Sequence, residues 1–156
     1  MGINPGSRYL GFAVCCGAEL RDWGVKNIQG GNLKAKLSKI QRIMASFIHQ
    51  YQPETLAIKN LNLSQSSENL NKIAAEIMSL AESHNLVIYQ YRGKALKRFF
   101  SPEKKINKKE LSELVAGEHP ILFHELEEER RHKHPYRIRM FEAVALATAC
   151  FNELGK

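Results

Sequence analysis

The chain has no run of about 18 consecutive apolar residues, so no segment of it reads as a membrane-crossing helix. No basic stretch followed by an apolar one stands at its start, because Gly2 already opens a strand-like segment; a secretory leader is not expected, and a cytoplasmic location is. Cysteine is scarce. Of three, Cys15 and Cys16 are adjacent and Cys150 is distant, with none of the spacings of a zinc site. All three fall in segments that read as buried strand and helix, so they are expected to pack rather than to form disulfides or hold metal. No linker and no internal repeat interrupts the chain. At 156 residues and 44% apolar content it is expected to form one domain, 1–156, with one sizeable core.

Charge, by contrast, is plentiful and unevenly placed. Lysine and arginine number 23 against 16 acidic residues, a formal net charge of +7. Arg92, Lys94, Lys97, Arg98, Lys104, Lys105, Lys108 and Lys109 face Glu103 alone, and this stretch carries the whole excess. Such a block releases counterions from a phosphate backbone, and the adjacent Tyr89, Tyr91, Phe99 and Phe100 are able to stack on unpaired bases. The competing reading is a solvated loop and helix surface. A second charged stretch, 125–134, reads as a solvated helix end with Glu127–Arg131 and Glu129–Lys133 at the four-residue spacing of helix ion pairs. His132 and His134, two apart, do not share a helix face, so no metal site is expected there.

Periodicity places these residues on an α/β frame. Residues from about 8 to 16 and from about 19 to 28 read as antiparallel strands joined at Gly17-Ala18. Asn32 caps a helix whose Leu33, Leu37, Ile40, Met44, Phe47 and Tyr51 share one face, and Pro53 ends it before a strand over 55–61. Ser64-Gln65-Ser66-Ser67-Glu68 caps the next helix, through Ile73 and Ile77 to about Ser83. Leu86-Val87-Ile88-Tyr89 then has the length of a buried strand. Strand, helix, strand implies a parallel pair, and ligands gather at the ends of such strands. Helices follow from Lys108 with a break over 117–120. In the last helix Ile138, Phe141, Val144, Ala145, Thr148 and Ala149 make a narrow face of small residues.

Short segments carry a more specific signal. Gly2-Ile3-Asn4-Pro5-Gly6-Ser7-Arg8-Tyr9-Leu10-Gly11 resembles the first strand of RuvC-type Holliday-junction resolvases, within the RNase H-like superfamily. Leu56-Ala57-Ile58-Lys59-Asn60-Leu61 resembles their central strand, and Phe141-Glu142-Ala143-Val144-Ala145-Leu146-Ala147-Thr148-Ala149 their closing helix. Tyr91 to Lys97 followed by Ile106 to Leu111 resembles their substrate stretch, with Lys97 and Lys108 where the DNA backbone approaches; Phe99-Phe100-Ser101-Pro102-Glu103 replaces the expected glycine-containing loop. The resemblance implies an RNase H-like (RuvC-type) mixed sheet with flanking helices, and for the family a nuclease using two divalent cations. It also sets Asn4 at an aspartate position, Lys59 at a glutamate, Arg139 at an Asp or His, and Glu142 at the last aspartate. Hard cations need anionic oxygen ligands, and one carboxylate of the four expected remains, so no metal or other cofactor is expected.

An internal ion pair between Lys59 and Glu142 is expected in its place. Plainer readings stand beside each position: Asn4 as organiser of the Pro5-Gly6 turn, Lys59 as a strand-end lysine with Asn60 inward, Arg139 as a phosphate contact or a surface residue, Glu142 as an ordinary helix glutamate. The function expected is binding of structured or single-stranded nucleic acid, DNA rather than RNA, with impaired or absent cleavage. Two alternatives remain open: an Mg²⁺-dependent endonuclease of the Holliday-junction type with a non-standard site, and a protein-interaction module, including a homodimer. No membrane partner is expected.

Overall fold

The computed structural model describes residues 1–132 and 135–155. Lys133, His134 and Lys156 lie outside the described residues, and with them the Glu129–Lys133 pair and the His132–His134 spacing. Five strands, β1 (Gly2–Asn4), β2 (Tyr9–Cys16), β3 (Glu19–Asn27), β4 (Thr55–Lys59) and β5 (Val87–Tyr91), form one sheet in the order β3-β2-β1-β4-β5. β1 and β4 run parallel, as do β4 and β5; β2 is antiparallel to both β1 and β3. This is the mixed sheet expected from the sequence. No helix among the described residues is long and apolar enough to cross a membrane.

Alternation along the strands decides which helices cover which face. Ile3, Leu10, Phe12, Val14, Leu56 and Ile58 point to one side and pack with Ile40, Met44, Phe47, Ile73 and Ile77, which belong to α1 (Leu33–Tyr51) and α2 (Glu68–Ser83). Fully burying each such side chain contributes about 1.5–3 kcal/mol. The caps follow the sequence reading: Asn32 Oδ1 accepts from the Ala35 amide at 2.9 Å, and Ser67 Oγ from the Leu70 amide at 3.1 Å. Gln52, in the left-handed region at φ 47°, closes α1 before Pro53.

The opposite face offers small residues, including Ala13 and Ala57, together with Asn4 and Lys59, because each stands two residues from its neighbour on the same strand. It is covered by α3 (Gly93–Phe100), α4 (Lys108–Glu118), α5 (Phe123–Arg131) and α6 (Pro135–Leu154). α6 lies against the sheet so tightly that a Cβ on Gly2 would come within 2.3 Å of the Ala143 carbonyl oxygen, and one on Gly11 within 2.2 Å of the Arg139 carbonyl oxygen. A glycine there is what lets the helix approach. Gly11→Ala is therefore expected to lower the unfolding free energy by about 1–3 kcal/mol, the usual cost of overpacking, which a urea titration would show as a lower midpoint at unchanged slope.

Three sequence expectations are corrected here. The last helix does not have one narrow face: every residue from Met140 to Cys150 is buried, because the sheet encloses it on one side and α3 and α4 on the other. Gly93–Phe100, read as part of a substrate segment, is a helix of its own. Cys16 is exposed at the last position of β2, whereas Cys15 is half-buried and Cys150 buried; all three thiols are free.

Candidate functional site

The strand ends bring four side chains together. Ile3 pairs with Ile58 across the parallel β1–β4 ladder, so the next residues, Asn4 and Lys59, end neighbouring strands and face α6. From α6, Glu142 reaches back to both. Lys59 Nζ lies 3.0 Å from Glu142 Oε2, the pair expected from the sequence, and Asn4 Nδ2 donates to the same oxygen at 3.1 Å. The β4–β5 pairing continues past Lys59, where the Asn60 amide donates to the Tyr91 carbonyl at 2.7 Å. Lys59, not Asn60, therefore holds the carboxylate. Asn4 is 1% exposed and bonds across to the helix, which sets aside its reading as a turn organiser.

A fourth participant was not legible. Lys108 Nζ lies 3.1 Å from Glu142 Oε1, so each oxygen of one carboxylate carries its own ammonium group. Local chemistry fixes where Lys108 starts: Asn107 and Glu110 form a reciprocal capping box, with Asn107 Oδ1 accepting from the Glu110 amide at 2.8 Å. That cap sets Lys108 as the first residue of α4. No spacing rule links it to Glu142, because the contact depends on how α4 docks on α6.

Arg139, one turn before Glu142, donates from a guanidinium nitrogen to the Pro5 carbonyl at 3.1 Å and also lines the cleft described below. Gly6 makes room for it, since a Cβ there would meet the Arg139 guanidinium carbon at 2.7 Å.

Electrostatics follow from burial. The Glu142 side chain is 6% exposed, Lys59 24% and Lys108 54%. Burial pushes the Glu142 carboxyl up, but the charges of Lys59 and Lys108 and the hydrogen bonds they donate together outweigh it, so the carboxyl is held below its ordinary value. A carboxyl that titrates lower when folded contributes stability that is complete above its unfolded value and is lost as pH falls through the folded one. Melting temperature measured between pH 7 and pH 3 should thus fall less steeply for Glu142→Gln than for the unaltered chain.

These groups open onto a cleft of about 740 Å³ between the loop after β4, the start of α3, the first turn of α4 and the N-terminal half of α6. Its cations are Lys59, Arg92, Lys94, Lys97, Lys108 and Arg139, and its single carboxylate is Glu142. Asn60, Asn62, Gln65 and Ser66 form a neutral polar wall. Of the basic stretch singled out in the sequence, Arg92, Lys94, Lys97 and Lys108 line the cleft. Arg98, Lys104, Lys105 and Lys109 do not; Lys104 lies 3.5 Å from Glu110, and Lys109 borders a separate hollow beside α5.

The aromatic residues beside that stretch do something other than expected. Tyr89, Tyr91, Phe99 and Phe100 pack against the α6-side core, and the Tyr91 hydroxyl donates to Glu153 at 2.6 Å. All four are partly buried against that core rather than freely exposed. The acidic and basic helix end also differs: Arg131 approaches Glu128 at 3.8 Å rather than Glu127, and Arg137, only 14% exposed, lies 3.8 Å from Glu125 and 3.9 Å from Glu129. Arg137 draws these acids toward α6, which is why that end is not simply solvated. No group of three or more metal-ligating side chains occurs among the described residues.

Comparison with known proteins supplies the relatives. The family model described as crossover junction endodeoxyribonuclease RuvC matches residues 1–125. That match includes Asn4, Lys59 and the basic stretch but ends before Arg139 and Glu142. Crossover junction endodeoxyribonuclease RuvC of Pelodictyon phaeoclathratiforme is 25% identical over 124 residues, covering 74% of this chain and 65% of that protein. The Vibrio vulnificus protein of the same description is 29% identical over 106 residues, covering 63% and 61%. The match thus spans somewhat under two thirds of the length of these curated relatives. Among solved structures, T. thermophilus RuvC in complex with Holliday junction substrate superposes with a TM-score of 0.75 at 18% identity, over 99% of this chain and 93% of that one. The yeast mitochondrial Holliday junction resolvase Ydc2 gives 0.69 at 11%, over 96% and 76%. At these identities the structural likeness fixes the fold, an α/β RNase H-like sheet with flanking helices.

Proposed function

The chain belongs to the RuvC crossover junction endodeoxyribonuclease family, and from that premise we propose that it binds nucleic acid, DNA rather than RNA, through its basic cleft without cleaving it by metal-assisted hydrolysis. The observation that carries this reading is the engagement of Glu142, whose two oxygens already serve Lys59 and Lys108. Asn4 offers a neutral amide, Lys59 an ammonium and Arg139 a guanidinium where the family resemblance calls for acidic or imidazole ligands. An ammonium and a guanidinium only donate hydrogen bonds, and their charge repels a second cation. The residues present therefore do not fit a divalent metal.

What remains is a surface suited to phosphates. Six cations against one carboxylate line the cleft, while the neighbouring aromatic rings are partly buried and do not line it. This favours backbone recognition, and hence structured DNA, over base stacking on single strands.

The test is a binding panel of labelled four-way junction, duplex, single-stranded DNA and RNA at two salt concentrations in EDTA. Salt-sensitive binding, tightest to four-way or duplex DNA, is expected. Failure to bind any of them would overturn the reading in favour of a protein partner.

A further inference from the structure

Resting on the nucleic-acid reading, we infer that Lys59 and Lys108 form a metal-free subsite for one backbone phosphodiester, with Glu142 as the internal anion that holds the two ammonium groups together until the phosphate takes them.

The geometry comes first. Lys59 and Lys108 sit on opposite oxygens of the same carboxylate at 3.0 and 3.1 Å, so their nitrogens are separated by no more than two hydrogen bonds and one carboxylate. The two non-bridging oxygens of a phosphodiester are spaced much like the two oxygens of a carboxylate, so one such group is able to bridge the same two nitrogens. An ammonium has three donors. Among the described residues each of these two has one partner, Glu142, and so keeps donors for an incoming oxygen.

The exposure gradient gives the direction of the cleft. Glu142 is the deepest group at 6%, Lys59 is intermediate at 24%, and Lys108 lies at the rim at 54%. An anion entering from the cleft meets ammonium groups before it meets the carboxylate. Glu142 is also fixed from behind by Asn4 at 3.1 Å, so it stays while Lys108 is free to turn toward a new partner. The Lys59–Glu142–Lys108 group retains one net positive charge, and Arg139 and Lys97 add to the attraction from the same walls.

Glu142 therefore plays two opposing parts. It keeps two like charges side by side in the absence of ligand, and it competes with the phosphate for them. Removing its charge while keeping its shape should tighten binding. A metal-ligand role for Glu142 calls for the opposite sign, since its loss would then weaken metal-dependent binding.

The experiment uses the whole chain and a fluorescein-labelled four-way DNA junction, read by anisotropy in EDTA, with circular dichroism to confirm folding of each variant. Glu142→Gln is expected to lower Kd by about two- to fivefold, the range of one weak ion pair relieved of competition. Lys108→Met, at an exposed position with little bearing on folding, is expected to raise Kd by about two- to fivefold on the same grounds. Because both lysines serve one phosphate, Lys59→Met with Lys108→Met should flatten the slope of log Kd against log salt by about 1 rather than about 2. A junction with uncharged methylphosphonate linkages should lose the difference between Glu142→Gln and the unaltered chain, whereas free inorganic phosphate should compete only weakly with the charged junction. Unchanged or weaker binding by Glu142→Gln, or Lys108→Met binding as the unaltered chain does, would overturn the subsite and leave DNA binding by the rest of the cleft intact. Inorganic phosphate displacing the junction as readily as unlabelled DNA would also overturn it, as a site for free anions. No binding by the unaltered chain would overturn the nucleic-acid reading itself.

Discussion

Replacing Arg92, Lys94, Lys97 and Lys108 together by glutamine should weaken binding of a four-way DNA junction by roughly a hundred- to thousandfold near 0.1 M salt. The size follows from counterion release. Each phosphate neutralised on duplex DNA contributes about 0.9 to the slope of log affinity against log salt, so losing up to four contacts removes up to about 3.6. The comparison that gives the result meaning is the other half of the same stretch. Arg98, Lys104, Lys105 and Lys109 replaced by glutamine change the net charge equally, yet these residues do not line the cleft. If long-range charge alone drew the DNA, both sets would weaken binding alike. Placement in the cleft requires the first set to cost at least about tenfold more than the second, and the measurement is anisotropy across a salt series.

The second large effect is a change of chemistry. Asn4→Asp combined with Lys59→Glu places two new carboxylates beside Glu142, which keeps Lys108 as its remaining ammonium partner. Without a cation, three acids crowded where two paired strand ends meet α6 repel one another, and the melting temperature should fall. Adding Mn²⁺ or Mg²⁺ should then restore it. A ligand present at about 100 times its dissociation constant stabilises the folded state by about 2.7 kcal/mol, which in a chain of this size raises the melting temperature by about 5–10 °C. The unaltered chain should show no such rise, because Lys59 already stands at that point with its charge facing the carboxylate. Thermal melts of both proteins with and without the metal check this directly. A comparable rise in the unaltered chain would mean that the lysine does not exclude a cation.

Much of this arrangement was legible because it follows from periods and caps. The period of two along β1 and β4 sends Ile3 and Ile58 to one face and Asn4 and Lys59 to the other, and the resemblance of the last helix brought Glu142 to the same place; the Lys59–Glu142 pair needed nothing further. Asn32 and the Ser64–Glu68 turn stand where hydrogen-bonding caps are required, so the starts of two helices could be read or closely bracketed. What escaped the sequence depends on docking. Lys108 meets Glu142 only because α4 lies across α6. Gly93–Phe100 carries no side-chain cap and no acid in its first turn, so as a short basic segment it had no local mark of a helix. The aromatic residues of β5 and α3 looked like a stacking surface because composition does not tell how much of a ring the core covers. The division of the basic stretch into residues inside and outside the cleft likewise depends on docking, since adjacent Lys97 and Arg98 on α3, and Lys108 and Lys109 on α4, fall on different helix faces.

On the proposed function the carboxylate at the strand ends is committed to lysines and not to a metal. The most direct test incubates excess protein with a labelled four-way junction in 10 mM Mg²⁺ or Mn²⁺, following binding and strand cleavage in the same samples. Binding that is the same as in EDTA, with the DNA left whole, is the expected result. Metal-dependent cutting that disappears in Glu142→Gln would contradict it.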